Sequence, residues 1–244
     1  MVKELKRVAR YLLFKSAFGI LFLKIIRNFR GVVRRWNLPK GTYIDPSAQI
    51  LGWSNLQIGQ NSVVSERCWL NVNHRGKDVK SLIVGDHCFM GRDNQVSVAG
   101  EISFGDYLLT APGCRFLSAT HLYDDPTSPY ISTGVTLDDR IRIGANCFFG
   151  SASMVVGNVV IGHGSVVGAG AVVCQDIPPF SLVIGNPGRV VKRYCFLRSQ
   201  WIRSADIGSD PVFPDEASYL KMLQAKNIIP DMPIIAASRR GGEL

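Results

Sequence analysis

Large apolar residues recur at every sixth position through the second half of the chain, at Ile143, Phe149, Val155, Ile161, Val167 and Val173. Glycine follows four of them, at Gly144, Gly150, Gly162 and Gly168. Four residues after each of the first five rungs stands a side chain smaller than Leu: Cys147, Ser153, Val159, Ser165 and Ala171. A period of six is neither the helical period of about 3.6 nor the strand alternation of about 2. It predicts an all-β solenoid of short strands and tight turns, each segment stacked on a neighbour. Within one hexad the large residue fills the interior. The next residue turns the corner, where Gly tolerates unusual backbone angles. The small slot points into a corner too narrow for Leu.

The same grammar recurs upstream. Ile44 pairs with Ile50, and Ala48 takes the small slot. Ile58, Val64 and Leu70 follow with Ser62 and Cys68; Val84, Met90, Val96 and Ile102 run with Cys88; Phe104, Thr110 and Phe116 run with Cys114. Phase slips between these runs mark bulges or excursions, the largest at about Asn71–Ser81 and His121–Arg140. The ladder thus predicts a solenoid domain over 41–193 with an excursion loop at 118–141. An N-terminal segment, 1–40, precedes it and a C-terminal extension, 194–244, follows. Within the extension, residues 213–223 read as a short helix with Pro214, Asp215 and Glu216 in its first turn.

Charge separates the N-terminus from the rest. The chain carries a net +9, but residues 1–40 hold eleven Lys and Arg against Glu4 alone, so the segment is +10 and the remaining 204 residues sum to −1. Between its basic flanks runs an apolar stretch, 11–26, broken by Lys15 and Lys24. A spanning helix wants about 20 mostly apolar residues, so insertion across a bilayer is disfavoured. A basic, apolar helix instead suits a membrane interface, where each cation near anionic lipid adds up to ~1 kcal/mol. The expectation is a helical segment making peripheral membrane contact through residues 1–35, at the inner face of the cytoplasmic membrane. The other reading is a helix packed on the solenoid or on a neighbouring subunit. The interleaving of charge with apolar residues and the lack of a binding motif argue against nucleic acid.

Of six cysteines, Cys68, Cys88, Cys114 and Cys147 occupy the small inward slot and act as small buried hydrophobes. Their spacing matches no zinc motif, and no secretory signal is evident. They read as reduced thiols of a cytoplasmic protein. Cys174 and Cys195 receive no role.

The hexads over 44–190 resemble the left-handed parallel β-helix of the hexapeptide-repeat acyltransferases, in the branch that O-acetylates sugars and polysaccharides. That resemblance implies three hexads per triangular coil, a homotrimer with each site between two subunits, and acetyl-CoA as co-substrate with no metal. The segments Gly168-Ala-Gly-Ala-Val-Val-Cys-Gln-Asp-Ile-Pro-Pro179 and Ile184-Gly-Asn-Pro-Gly-Arg-Val-Val-Lys-Arg193 resemble the family's terminal coil and exit. By resemblance, backbone near Ser151 and Ala169 meets the pantetheine arm, and Lys192 with Arg189 or Arg193 meets the phosphates, where cations are favoured. Two positions depart from the family pattern: Cys174-Gln175 stand where Thr-Lys is frequent, and Phe148 where many members carry Trp.

His121 opens the polar excursion and, by the same resemblance, is the general base. A sugar hydroxyl must lose its proton as it attacks a thioester. Imidazole, titrating near pH ~6.5, can take that proton and pass it to the leaving thiolate. The resemblance places an acceptor-binding Asn at Asn94, with its neighbour Asp93 an alternative. Asp124 and Asp125 could orient His121, bind acceptor, or be solvated loop acids. The expected reaction is acetyl transfer to a saccharide hydroxyl, on a cell-surface glycan or its lipid-linked precursor. The competing readings are a xenobiotic acetyltransferase and a non-catalytic, membrane-associated β-helix protein. A γ-type carbonic anhydrase is disfavoured, because His74, His87, His121 and His163 lack a closely spaced ligand pair.

Overall fold

The computed structural model describes residues 37–72, 81–206 and 213–226. The membrane expectation on 1–35, and His74, lie outside them. The chain divides into two units, Met1–Leu38 and Pro39–Leu244, and the second is the solenoid.

Three parallel sheets form its walls. Wall A stacks Tyr43–Ile44, Val63–Val64, Phe89–Met90, Leu109–Thr110, Phe148–Phe149, Val166–Val167 and Ser181–Ile184. Wall B stacks Gln49–Leu51, Trp69–Asn71, Gln95–Ser97, Arg115–Leu117, Met154–Val156 and Val172–Val173. Wall C stacks Leu56–Ile58, Leu82–Val84, Glu101–Phe104, Arg140–Ile143 and Val159–Ile161. The chain visits A, B and C in turn, so each strand pairs with one a full coil away. An antiparallel hairpin, Arg189–Cys195 with Gln200–Arg203, extends wall A beyond its last parallel strand. The helix expected in the extension forms over Glu216–Ala225, with the Asp215 carboxylate accepting from the Ser218 N–H.

One coil has the pure three-hexad length: Phe148 pairs with Val166 and Met154 with Val172, 18 residues on. Other coils take 20 (Tyr43 to Val63), 26 (Val63 to Phe89) and 39 residues (Leu109 to Phe148). The surplus is not scattered. Every coil steps six residues from wall A to wall B, as from Val63 to Trp69 or Val166 to Val172. Every coil steps five from wall C to wall A, as from Ile58 to Val63 or Ile161 to Val166. Only the step from B to C varies: three from Val156 to Val159, five from Ser97 to Ile102, eleven from Asn71 to Leu82, and twenty-four from Leu117 to Ile141. All insertions therefore leave from one edge of the solenoid.

The post-rung glycines have a different cause from the one expected. Gly150 and Gly162 do not adopt positive φ. A Cβ on Gly150 would stand 2.5 Å from the Ala169 nitrogen, and one on Gly162 would stand 2.3 Å from the Pro179 nitrogen. Close stacking of successive coils at the corners excludes a side chain there. The left-handed conformation falls later in each corner, at Asp93, Asn146 and Ala152 among others.

The interior is apolar, with Leu70, Met90, Val96, Phe116, Phe149, Val155 and Val173 fully buried. Cys68, Cys88, Cys114 and Cys147 lie with them as expected. Burial pushes the Cys68 thiol up to about 11 and those of Cys88 and Cys147 up to about 12. Since the thiolate is the reactive species, a thiol reagent added to the native protein should label exposed Cys174 first and leave these four untouched until unfolding. Mass mapping of the labelled peptides reads this directly.

Candidate active site

The longest excursion departs after Leu117 and returns at Arg140. It is braced from within. The Thr120 N–H donates to Thr136 Oγ1 at 3.2 Å, the Thr136 N–H donates to the Thr120 carbonyl at 2.8 Å, and His121 forms an isolated antiparallel bridge with Val135. Farther out, the Asp125 carboxylate accepts from the Thr127 N–H at 2.9 Å and from the hydroxyls of Thr127 and Ser128 at 2.6 and 2.7 Å. Those bonds hold its pKa below the usual carboxylate range. Asp125 thus builds the loop, and Asp124 is exposed in it.

His121 itself is exposed, and its ring makes no hydrogen bond to a described residue. The loop presents apolar surface, with Tyr123 69% and Ile131 89% exposed. Among the described residues no carboxylate hydrogen-bonds this imidazole.

Asn94 stands on a different edge of the same chain. It lies at the corner between walls A and B, fully buried, while His121 leaves from the B–C edge. Its amide donates to the Gly91 carbonyl and, at 2.9 Å, to Thr110 Oγ1; its Oδ1 has no partner among the described residues. This accounts for a hydroxyl in a rung slot otherwise filled by large apolar residues: Thr110 accepts from Asn94 and, at 3.0 Å, from the Gly91 N–H. Asn94→Ala should therefore lower stability by about 1–3 kcal/mol, the scale of a lost buried hydrogen-bond partner. Acceptor KM should stay unchanged, as thermal melts and initial rates would report. Its neighbour Asp93 is exposed and forms a two-pronged ion pair with Arg67, at 2.8 and 2.7 Å. The Arg67 guanidinium holds the Asp93 carboxyl below its ordinary range.

The donor-side residues gather on the A–B edge. Ser151 and Ala169 are exposed on successive corners, bound by the Gly170 N–H donating to the Ser151 carbonyl at 2.9 Å. The N–H groups of Ser151 and Ala169 themselves bond no described residue. Free amides beside a surface without Cβ atoms suit the amide carbonyls of a pantetheine arm. The exit turn closes over the same edge, where the Val172 N–H donates to the Gly185 carbonyl at 3.0 Å and the Gly188 N–H to the Val172 carbonyl at 2.6 Å. Arg189 and Lys192 follow, exposed. The Arg193 Nη2 donates to the Pro179 carbonyl at 2.8 Å, and its guanidinium lies 4.3 Å from the centre of the Phe213 ring. Burial lowers its pKa. It pins the exit strand.

A cluster absent from the sequence reading lies on the third edge, between walls C and A. His163 Nε2 lies 3.0 Å from the Pro214 carbonyl, and its ring meets Phe180 and Tyr219. Glu216 Oε1 accepts from the Ala145 N–H at 2.5 Å, and Tyr219 accepts from the Asn146 amide. These bonds dock the C-terminal helix on the corner. Nothing in its sequence named that partner, since the partners lie 51 to 73 residues away. Among the described residues no three His, Cys, Asp or Glu side chains gather as metal ligands, and no helix is long and apolar enough to cross a membrane.

Three walls of short parallel strands, a six-residue grammar and insertions confined to one edge define a hexapeptide-repeat protein with a left-handed β-helix. Residues 140–175 match the family model described as "Bacterial transferase hexapeptide (six repeats)". That model describes a repeat of bacterial transferases, similar to the hexads of this chain. Among curated proteins the chain is similar to "Probable acetyltransferase Rv3034c" of Mycobacterium tuberculosis, 32% identical over 64% of this chain and 49% of that one. It is also similar to SAV2555 of Staphylococcus aureus, provisionally named an acetyltransferase, at 36% identity over 58% of this chain and 56% of that one. The chain thus spans about half the length of the curated relatives it matches. Among solved structures it shares its fold with a variant of AntD, an N-acyltransferase from Bacillus cereus in complex with dTDP and Coenzyme A. The TM-score is 0.56 at 19% identity, over 78% of this chain and 91% of that one.

Proposed function

We propose that the chain transfers an acetyl group from acetyl-CoA to a saccharide hydroxyl, with His121 as general base. The observation that carries this reading is the placement of an exposed imidazole at the root of the one long excursion, on the B–C edge, with free corner amides on the A–B edge. The names of the curated relatives support the reaction class. In the step, an imidazole nitrogen takes the hydroxyl proton as the oxygen attacks the thioester carbonyl carbon. The C–S bond then breaks, and the imidazolium returns the proton to the thiolate, giving ester and CoA. Backbone N–H groups at Ser151 and Ala169 would hold the pantetheine arm, and Lys192 and Arg189 would meet the phosphates. Asp124 would bind acceptor or orient the imidazole.

Wall B separates the two edges within one chain, so a donor on one copy would meet His121 of another. A homotrimer satisfies this, and the outward row of wall A offers the contact. Phe89, Leu109, Phe148, Val166 and Leu182 stand in register, with Leu109 45% and Phe148 39% exposed. The basic segment 1–35 would hold the enzyme at an anionic membrane from the cytoplasmic side, where a lipid-linked precursor of a cell-surface glycan would be its acceptor.

The test is thiol release from acetyl-CoA across a panel of saccharides and xenobiotic alcohols and amines, with products identified by mass. Ester formation on a saccharide is expected. Transfer only to amines or xenobiotics, or none to any acceptor, overturns the reading.

A further inference from the structure

Wall B carries a polar strip headed by an indole. The middle residues of three successive strands, Leu70, Val96 and Phe116, are fully buried, so their flanking residues point outward. Outward in register stand Trp69, Gln95 and Arg115 in one row, and Asn71 and Ser97 in the next. Strands of one wall lie about 4.8 Å apart, so these groups form a flat ladder of an indole, amides, a hydroxyl and a guanidinium. The Arg115 Nε donates to Gln95 Oε1 at 3.3 Å, and no carboxylate among the described residues pairs the guanidinium. Beyond the strip, the wall turns apolar at Leu117, Met154 and Val156.

Such a surface matches a sugar chain. The apolar C–H face of a pyranose lies on an indole. Amides and a guanidinium donate to hydroxyl oxygens, and an unpaired guanidinium can take a carboxylate with two bonds. The strip is bordered by the edge that carries His121 and by the edge that carries Ser151 and Ala169, so a chain lying on it ends near the proposed chemistry.

We propose that this strip is a subsite for the saccharide chain beyond the residue being acetylated, so that the acceptor is an oligosaccharide. The proposal rests on the saccharide reading above. Its test is retention of the full-length protein on immobilised neutral and uronate-containing oligosaccharides, for wild type, Trp69→Ala, Trp69→Phe and Arg115→Ala. Wild type should bind, and Trp69→Ala should weaken binding by roughly tenfold, the scale of one lost aromatic contact. Trp69→Phe should recover part of the loss. Arg115→Ala should also weaken binding, and a loss confined to uronate chains would identify a carboxylate as the group it meets. No retention of any oligosaccharide by wild type, variants equal to wild type, or a change of oligomeric mass in Trp69→Ala overturns the subsite. Wild-type transfer to monosaccharides separates the two readings: transfer without strip-dependent binding sinks the subsite alone, and absence of transfer to any saccharide sinks the activity.

Discussion

His121→Ala is expected to lower kcat/KM for acetyl transfer by roughly 10²–10⁴-fold, the contribution of a positioned general base. The loss should appear with CoA affinity, secondary structure and oligomeric mass unchanged. The reasons are geometric. The imidazole is exposed and bonds no described residue, so its removal disturbs no packing. The backbone at this position is held independently, by the Thr120–Thr136 pair and the bridge to Val135. The donor contacts proposed at Ser151 and Ala169 are backbone amides that do not depend on this side chain. Wild-type turnover by His121→Ala, or loss of CoA binding in it, would remove His121 from the role of base.

The ladder of Ile143 to Val173 was legible because every slot answers to a local rule: one interior volume, one tight corner, one small pocket. The breaks in it were legible too. The slips at Asn71–Ser81 and His121–Arg140 coincide with the eleven- and twenty-four-residue steps from wall B to wall C. That both leave from one edge was not readable from period alone. It follows from the constancy of the other two steps, which emerges only when strands are paired. Local composition did not show the partners of Asn94 and Arg193. An amide in a small slot and a cation in a basic exit turn look like ligand groups. The first instead partners Thr110, and the second Pro179 and Phe213. Coil stacking brings Asn94 to Thr110, 16 positions away, and the antiparallel exit strand and the extension bring Arg193 to Pro179 and Phe213. The docking of the C-terminal helix on His163 and Asn146 escaped for the same reason.

Phe116→Ala should be the most damaging single truncation in the solenoid, by about 3–5 kcal/mol, the range for deleting a buried aromatic ring. One phenylalanine from each wall meets at this level: Phe104 from C, Phe116 from B and Phe149 from A. Phe116 touches both others edge to face, with centroids 4.9 and 5.1 Å apart and planes at 74° and 77°. Removing it vacates the centre of the trio, and the flanking rings cannot collapse inward because parallel ladders fix all three walls. A domain of this size loses about 2–4 °C of melting temperature per kcal/mol, so the fall should be on the order of 10 °C. Phe116→Leu, which keeps most of the volume, should lose less than half as much. The position also lies two residues before Ser118, where the excursion bearing His121 leaves the wall, and the Ser118 N–H donates to the Ser97 carbonyl at 3.0 Å. Disorder at Phe116 therefore reaches the root of the proposed site. Below its melting temperature the variant should lose transfer rate while still binding CoA on the opposite edge. Hydrogen exchange should place the loosened amides around 95–97, 115–118 and 154–156, and protection unchanged there would mean that the core and the excursion are not coupled.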